Sequence, residues 1–588
     1  MKTRLHVVLA LAALWFAGLA ARLCDLQVRE HDHYVERARN QQRTELVLTP
    51  PRGTIYDASG RELAMSIEAA SAYAVPREIA DPAGAAARIA AAVGADRAVL
   101  ASRLGRGDRG FVWVARQLEP AAAERLRALE LPGVKFTTES KRSYPLGALA
   151  APVLGFVGVD PTGLAGIEAA YDETIAGREV RRPVLRDARR GSILYDDLAQ
   201  PEAPPGADLF LTIDSSIQHV AERELAAAVA RHGARGGSVV MLDPGTGAVL
   251  AMASSPSFDP NAYGQAPPAD RVNIPVQHVY EPGSTFKLVT AAAALETGAV
   301  DPLDRFDCGR GGIVFRGKLI RDHKSFDDLS FSEIIAFSSN VGAIRLGARV
   351  GEQRLYETIR AFGFGSKTGI DLAGESAGRV WPVEEWHARD VAYLSFGQGI
   401  SVTPLQLANA FAAIANGGTL YQPYVVSAVS RDGVVEAPAD RPRALGRPIS
   451  AQTAQTLERM LEMVVEAEGG TGRKAAIPGY RVAGKTGTAE KPENGIYVAG
   501  KYVASFVGFA PARAPAVVCL VIIDEPAGSR FHGGDIAAGV FAEIVRHALL
   551  RLGVPRDEPP AGAGEKPLVA ALGGARPTPP APGRVATR

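Results

Sequence analysis

The chain has 588 residues and is 47% hydrophobic, which gives room for about two to four domains with apolar cores. Its 65 lysines and arginines nearly balance 64 acidic residues, and a net charge of +1 argues against a nucleic-acid-binding protein. The three cysteines, Cys24, Cys308 and Cys519, are too few and too scattered for a disulfide framework or a zinc site.

The N-terminal segment predicts a membrane anchor. Residues 5–23 are almost entirely apolar, over a length near the lower limit for crossing a bilayer. We expect residues 1–4 to form a cytoplasmic tail, because Lys2 and Arg4 favour that side, and the rest of the chain to lie outside the membrane. A cleaved signal peptide is the alternative, since Gly18-Leu-Ala20 has the small residues of a cleavage site.

Residues 24–205 are predicted to form a non-catalytic domain. The stretch from Pro50 to Ala64 has the pattern of two strands joined by a turn at Ala58-Ser59-Gly60. Further on, Ala-rich helical stretches alternate with short apolar strands such as Phe111-Val-Trp-Val114. This half contains no nucleophile–base pair, no metal-ligand spacing and no phosphate-binding loop, so we interpret it as architectural.

A proline-rich break at residues 201–206 marks the start of a second domain, residues 206–553. Strand patterns occur near its beginning, at 209–213 and 237–242, and again near its end, between 481 and 523. Helical patterns fill the interval, and a last helix is predicted from about Gly539 to Arg551. Strands at both ends with helices between them favour one sheet packed between helices, an α/β/α domain in a multidomain chain of α/β and α+β class.

Residues 554–588 contain eight prolines in 35 residues and almost no aromatic or β-branched side chains. Such a segment buries too little apolar surface to offset the entropy lost on ordering. We therefore predict a disordered tail, with a proline-rich docking motif as the alternative.

The stretch Tyr280-Glu-Pro-Gly-Ser-Thr-Phe-Lys287 precedes an apolar run that is typical of a buried helix. Ser284 and Lys287 are three residues apart and so share one helix face. Apolar surroundings lower the pKa of a lysine, and a neutral lysine beside a serine hydroxyl is a base beside a nucleophile. The alternative is a helix cap with a lysine that reaches solvent.

Two further motifs, Ser338-Ser-Asn340 and Lys485-Thr-Gly-Thr488, have structural explanations when each is taken alone. The first has the residues of a helix cap, and the second could be an edge strand protected by its lysine. In the order Ser-x-x-Lys, Ser-x-Asn and Lys-Thr-Gly, with gaps of about 50 and 145 residues, the three motifs together indicate one acyl-transfer site.

These motifs resemble the penicilloyl serine transferase superfamily and, within it, the class B penicillin-binding proteins, which are peptidoglycan D,D-transpeptidases. The resemblance extends from the anchor to about Leu552 and also includes Arg52-Gly-Thr-Ile-Tyr-Asp57, Tyr144-Pro-Leu-Gly147 and Ser395-Phe-Gly-Gln-Gly-Ile400. The wording of Gly155-Phe-Val-Gly158, Gly166-Ile-Glu168 and Phe362-Gly-Phe-Gly365 is most similar to the septal, FtsI-type branch. The elongation branch is the close alternative, and the cytoplasmic tail is shorter than expected of the division type.

The resemblance implies a single transmembrane helix, an elongated pedestal domain of the dimerisation type and an α/β/α transpeptidase domain with a central antiparallel sheet. It implies peptidoglycan stem peptides ending in D-Ala-D-Ala as substrates, beta-lactams as covalent inhibitors, and no metal or organic cofactor. It also implies a location in the cell (inner) membrane, with the catalytic domain periplasmic or extracellular. The implied partners are a membrane glycosyltransferase of the shape, elongation, division and sporulation (SEDS) family and divisome proteins.

The resemblance also assigns catalytic roles. Ser284 attacks the penultimate D-alanine carbonyl to form an acyl-enzyme, and neutral Lys287 takes its proton. Ser338 relays a proton to the departing D-alanine, and Lys485 keeps Lys287 uncharged by repulsion. An amine from a neighbouring stem then attacks the acyl-enzyme to form the cross-link.

The remaining motif residues are implied to bind substrate. The Asn340 amide holds the peptide backbone, and the N–H groups of Ser284 and Thr488 form an oxyanion hole. The Thr486 and Thr488 hydroxyls, with Lys485, bind the terminal carboxylate. Gly487 leaves the strand open to close approach, so that the stem peptide can lie along it as an added strand.

Two other functions use the same motifs. A D,D-carboxypeptidase or a β-lactamase would pass the acyl group to water, but the sequence shows no clear additional base for deacylation. A division scaffold without activity is the non-enzymatic alternative, and the three intact motifs argue against it.

Overall fold

The computed structural model of the protein describes residues 2–48, 50–106, 110–177, 180–186, 193–194, 204–493 and 496–557. The chain forms two compact units. One unit consists of Met1–Arg52 and Ala176–Gly206, and the other of Gly53–Ile175 and Ala207–Arg588.

The first unit contains the predicted anchor. Its helix Lys2–Cys24 continues through a π-helical turn, Asp25–Arg29, and the whole segment is long and apolar enough to cross a membrane, by length and composition. A helix, His31–Gln42, follows. Three antiparallel strands complete the unit: Arg43–Leu48, Val180–Arg186 and Ile193–Leu194.

The second unit begins with the predicted hairpin, which is confirmed. Strand Ile55–Tyr56 pairs antiparallel with Glu62–Ala74, and the Asp57 carboxylate closes the turn by accepting the N–H groups of Ser59 and Arg61, each at 2.8 Å. The other elements of this region are the strands Val112–Leu118 and Val134–Ser143 and the helices Pro82–Val93, Arg97–Leu104, Pro120–Arg127, Ala151–Leu154, Gly166–Ala170 and Asp172–Ile175.

One sheet crosses from this region into the rest of the unit. Ile55–Tyr56 runs parallel to Asp208–Leu211, which in turn pairs with Val426–Arg431, and the continuous sheet has seven strands. The sheet therefore spans the proline-rich break at residues 201–206. Local sequence does not reveal this pairing, because it joins segments that lie about 150 residues apart or more.

The remainder of the unit is organised around a second, five-stranded sheet. Its strands are β1 (Gly236–Leu242), β2 (Val249–Ser255), β3 (Ala483–Glu493), β4 (Ile496–Ala510) and β5 (Val517–Asp524). They are antiparallel in the order β2-β1-β5-β4-β3, which confirms the expected central antiparallel sheet. β3, the strand that carries Lys485, lies at one edge.

Helices cover both faces of this sheet, as the α/β/α prediction requires. The long helices are α1 (Ser215–Arg231), α2 (Lys287–Glu296), α3 (Phe331–Phe337), α4 (Asn340–Val350), α5 (Pro404–Ala415), α6 (Ala451–Glu466) and α7 (Gly533–Arg551). α1 and α7 share an apolar core with Val239, whereas α2, α5 and α6 share the opposite core with Val240. Because neighbouring strand residues point to opposite faces, the all-buried strand β1 serves both cores.

Smaller elements surround this arrangement. They are the helices Ile274–Gln277, Glu352–Ala361 and Asp390–Leu394 and the paired short strands Arg305–Asp307 with Asp328–Ser330, Gly312–Phe315 with Lys318–Arg321, Leu420–Tyr421 with Ala444–Gly446, and Val434–Glu436 at the end of the larger sheet.

The last helix begins at Gly533, six residues before its predicted start. Glycines lower helix propensity, which is why the sequence pattern placed the start at Gly539. The structure gives a reason for the glycine: a Cβ atom at Gly533 would lie 2.1 Å from the carbonyl oxygen of Ser505 and 2.3 Å from that of Gly487. The N-terminus of α7 therefore packs directly on β3 and β4.

The first residues after α7 pack against the domain. Tyr480 Oη donates a hydrogen bond to the carbonyl oxygen of Val554 at 2.8 Å, and the Asp557 N–H donates to that of Gly479 at 2.8 Å. Residues 558–588 of the predicted disordered tail lie outside the described residues.

Truncation separates these two parts of the tail. A chain that ends at Asp557 should melt like the full-length protein, because residues 558–588 are predicted not to pack. A chain that ends at Gly553 should lose about 0.5–1.5 kcal/mol of unfolding free energy with the Tyr480 hydrogen bond. Thermal melts of both truncations check this, and a lower melting temperature for the longer one would show that the tail packs.

Candidate active site

The three sequence motifs meet in one place. Lys287 Nζ lies 3.0 Å from Ser284 Oγ and donates hydrogen bonds to the Asn340 Oδ1 atom at 2.8 Å and to the Ser338 carbonyl oxygen at 2.6 Å. Lys485 Nζ approaches from β3 and lies 2.9 Å from Ser338 Oγ. The structure thus brings together all four residues predicted to be catalytic.

Ser284 lies in a 3₁₀ turn, Gly283–Phe286, that leads directly into α2. Gly283 has a φ of +56°, a conformation that favours glycine, and its N–H donates to the Gly397 carbonyl oxygen at 3.0 Å. Gly397 is required in turn, since a Cβ atom there would lie 2.2 Å from the Gly283 carbonyl oxygen. The serine turn is therefore held by a loop that sequence reasoning matched to the family but assigned no role.

Ser338 occupies the junction between α3 and α4. Its φ of +63° is unusual for a residue with a side chain and turns the backbone so that Ser339, not Ser338, caps α4. Ser338 Oγ lies 3.1 Å from Lys287 Nζ and 2.9 Å from Lys485 Nζ. The helix-cap explanation thus applies to the neighbouring serine, and the Ser338 hydroxyl bridges the two lysines.

Both lysines are completely buried. Burial lowers the pKa of Lys287 to about 7, against the opposing effect of the Asp322 carboxylate, which raises it. For Lys485, burial and then repulsion from Lys287 hold the pKa well below its usual value. This corrects the expected cause: burial is the main reason that Lys287 loses its charge readily, and the repulsion lowers the pKa of Lys485.

Asp322 is a site residue that sequence reasoning missed. Its carboxylate accepts hydrogen bonds from the Asn340 N–H, from the Val341 N–H at 3.1 Å and from Ser339 Oγ at 2.7 Å. A carboxylate at the N-terminus of α4 is favoured by the helix dipole. It holds Asn340 beside Lys287, and the only signal in the sequence is an aspartate in a loop, since the contact is tertiary.

The Asn340 side chain uses both ends of its amide. Oδ1 accepts from Lys287 Nζ, and Nδ2 donates to the Arg321 carbonyl oxygen at 3.2 Å. The amide is thereby fixed in orientation beside the cleft, where its expected role is to hold the substrate backbone.

Glycine at position 487 allows β3 to approach the serine turn. A Cβ atom at Gly487 would lie 2.2 Å from Ser505 Oγ and 2.9 Å from a methyl group of Thr285. On the same strand, Thr486 Oγ1 donates to Thr471 Oγ1 at 2.8 Å, and Thr488 Oγ1 accepts from the Gly533 N–H at 3.2 Å. The two threonines predicted to bind the substrate carboxylate are therefore anchored by neighbouring elements.

The backbone groups predicted to form the oxyanion hole come from adjacent segments. Gly283, next to Ser284, is so close to β3 that a Cβ atom on it would lie 3.2 Å from the Thr488 carbonyl oxygen and 3.0 Å from the Ala489 Cβ atom. The serine turn and the Thr488 region of β3 thus form the two sides of a narrow cleft.

Comparison with known proteins agrees with this arrangement. Residues 237–546 match the penicillin-binding protein transpeptidase domain, and residues 47–211 match the penicillin-binding protein dimerisation domain. The chain is 37% identical to stage V sporulation protein D of Bacillus subtilis over 566 residues, which cover 94% of this chain and 86% of that protein. It is 34% identical to the peptidoglycan D,D-transpeptidase FtsI of Escherichia coli over 553 residues, 92% of this chain and 91% of FtsI.

A solved structure is similar over most of the chain. Penicillin-binding protein 3 of Mycobacterium tuberculosis, in complex with aztreonam, aligns with a TM-score of 0.68 and 32% identity, covering 87% of this chain and 99% of that one.

The chain therefore belongs to the class B penicillin-binding proteins, with a dimerisation domain and a transpeptidase domain. It is a serine-type peptidoglycan D,D-transpeptidase. The family and the mixed α/β fold inferred from the motifs are confirmed.

Proposed function

We propose that Ser284 is the nucleophile of this transpeptidase and that Lys287 is its general base. The observation that carries the proposal is the 3.0 Å distance between Lys287 Nζ and Ser284 Oγ, with the lysine completely buried. A lysine whose pKa is about 7 is partly neutral at physiological pH, as a base for the serine proton must be.

In the acylation step, Ser284 Oγ attacks the carbonyl of the penultimate D-alanine of a stem peptide and its proton passes to Lys287. The N–H groups of Ser284 and Thr488 stabilise the oxyanion, an effect typically worth about 3–4 kcal/mol. Ser338, placed between the two lysines, relays a proton to the nitrogen of the terminal D-alanine as the C–N bond breaks. The products are the acyl-enzyme and free D-alanine.

In the second step, an amine from a neighbouring stem attacks the acyl-enzyme carbonyl. The new C–N bond forms, the bond to Ser284 Oγ breaks, and the proton lost by the amine returns to the serine through Lys287. Lys485, Thr486 and Thr488 bind the terminal carboxylate of the donor, and Asn340 holds its backbone. The donor stem lies along the edge of β3, at the opening left by Gly487, as an added strand.

Beta-lactams are proposed to acylate the same serine. Full-length protein incubated with benzylpenicillin should gain a persistent adduct, seen by intact-mass spectrometry, whereas Ser284→Ala should gain none while keeping the wild-type melting temperature. Labelling that survives in Ser284→Ala would remove the central assignment. A wild-type adduct that disappears quickly would instead favour a hydrolase.

The rate of acylation should depend on the protonation of Lys287. Because only the neutral amine accepts the serine proton, the rate should fall about tenfold per pH unit below about pH 7 and level off above it. Asp322→Asn removes a charge that raises the pKa of Lys287, so its midpoint should move to lower pH. Stopped-flow acylation by benzylpenicillin between about pH 5 and 9 measures both profiles. A flat wild-type profile would argue against lysine as the base.

We further propose that the protein works in septal cell-wall synthesis. The FtsI-like wording of the amino-terminal half and the 34% identity to Escherichia coli FtsI support this role. The helix Lys2–Cys24 would anchor the chain in the inner membrane with its N-terminus in the cytoplasm. A membrane glycosyltransferase of the SEDS family and divisome proteins would then be its partners.

Depletion of the protein in its own host tests the septal role. Cells that lack a septal transpeptidase should continue to elongate without dividing, so microscopy should show filaments. Round cells would instead assign the protein to the elongation branch, which is the close alternative.

A further inference from the structure

A cavity of about 870 Å³ lies beside the catalytic residues. Its lining includes Ala489 and Glu490, which directly follow Thr488 on β3, and Tyr280 and Glu281, which shortly precede Ser284. Pockets that enclose small ligands typically measure about 300–1,000 Å³. The cavity is therefore large enough for part of a substrate and adjoins the cleft on two sides.

The proposed binding mode leads the donor stem into this cavity. If the terminal carboxylate lies at Lys485–Thr488 and the reacting carbonyl at Ser284, the preceding residue of the stem continues along β3 past Ala489 and Glu490. An added strand advances about 3.3 Å per residue, so the residue before D-Ala-D-Ala reaches this part of the lining.

Two carboxylates of the lining accept hydrogen bonds from neutral groups. Glu281 accepts from the Gly399 N–H and from Tyr497 Oη, each at 3.0 Å, and Glu490 accepts from Tyr502 Oη at 3.5 Å. Among the described residues, neither carboxylate forms an ion pair. Burial raises the pKa of Glu281, which shows that its negative charge is poorly compensated.

Another carboxylate of the lining is already neutralised. Asp524 receives Lys491 Nζ at 2.8 Å. The uncompensated negative charge described for Glu281 and Glu490 therefore lies on the side of the cavity nearest Ser284. A cationic ligand would be drawn to that side.

Two buried hydroxyls of the lining lack partners. Ser238 Oγ and Tyr280 Oη are both buried, and neither forms a hydrogen bond in the part of the chain that the structure describes. Buried polar groups are almost always paired in native proteins. A ligand with amide groups would supply the missing partners, which a purely apolar ligand could not do.

We propose that this cavity binds a donor stem in which the residue before D-Ala-D-Ala carries a side-chain amine, and that Glu281 and Glu490 bind its ammonium group. The proposal rests on the proposed function, in which an amine of a neighbouring stem is the acceptor. Because donor and acceptor stems are chemically alike, the donor carries the same amine, and the cavity gives it a binding site.

Two penicillins that differ only in a side-chain amine test the proposal. One carries an aminohexanoyl group on the penicillin nucleus, which places an amine at the reach of a lysine side chain, and the other is its N-acetyl derivative. Full-length protein should be acylated about tenfold faster by the free amine, the difference expected of one partly buried charge pair. Glu281→Gln and Glu490→Gln should bring this ratio close to one, whereas Glu436→Gln, on an exposed strand outside the cavity, should keep it.

Equal acylation rates for the two penicillins, or a preference for the acetylated one, would overturn the proposal. So would an unchanged preference in both cavity variants. Benzylpenicillin, which has no amine, separates this result from the proposed function, because a wild-type protein that it fails to acylate would contradict Ser284 as nucleophile. If Glu281→Gln also reacts slowly with benzylpenicillin, through loss of its contacts to Gly399 and Tyr497, Glu490→Gln alone decides.

Discussion

Two lysine side chains share one serine hydroxyl in a place that solvent does not reach, and the rest of the catalytic domain depends on this constraint. Like charges at such a distance cannot both persist without water. The structure meets the constraint by giving Lys287 and Lys485 acceptors in place of solvent: the Ser338 carbonyl oxygen, Asn340 Oδ1 and the Thr486 carbonyl oxygen. The same interactions that make burial tolerable also remove charge from Lys287.

Close packing keeps these groups in place. Helix α2 follows the nucleophile into the core, and all of its residues from Lys287 to Ala294 are buried, so the lysine cannot swing to solvent without disrupting that core. On the other side, β3 can reach the serine turn because Gly487 has no side chain. Geometry and electrostatics therefore arise from one packing arrangement, and a change in either would alter both.

Local patterns predicted much of this protein, and the failures have a common cause. The strands of the central sheet, the buried helix after Ser284 and the meeting of three motifs follow from periodicity and chemistry within short windows. Asp322 was missed because it acts on a helix that begins 18 residues later in the chain, through a tertiary contact. The pairing of Ile55–Tyr56 with Asp208–Leu211 was missed for the same reason, and the start of α7 because glycines needed for packing look like helix breakers.

The seven-stranded sheet has a mechanical consequence. Residues 53–175 meet the catalytic region through a backbone ladder between Ile55–Tyr56 and Asp208–Leu211, rather than through a flexible connection. The completely buried Glu168 accepts from Arg142 at 2.6 Å and stiffens the same region. A load applied to residues 53–175 is carried in shear by these backbone hydrogen bonds, so a pull on that region arrives at the catalytic region as elastic strain.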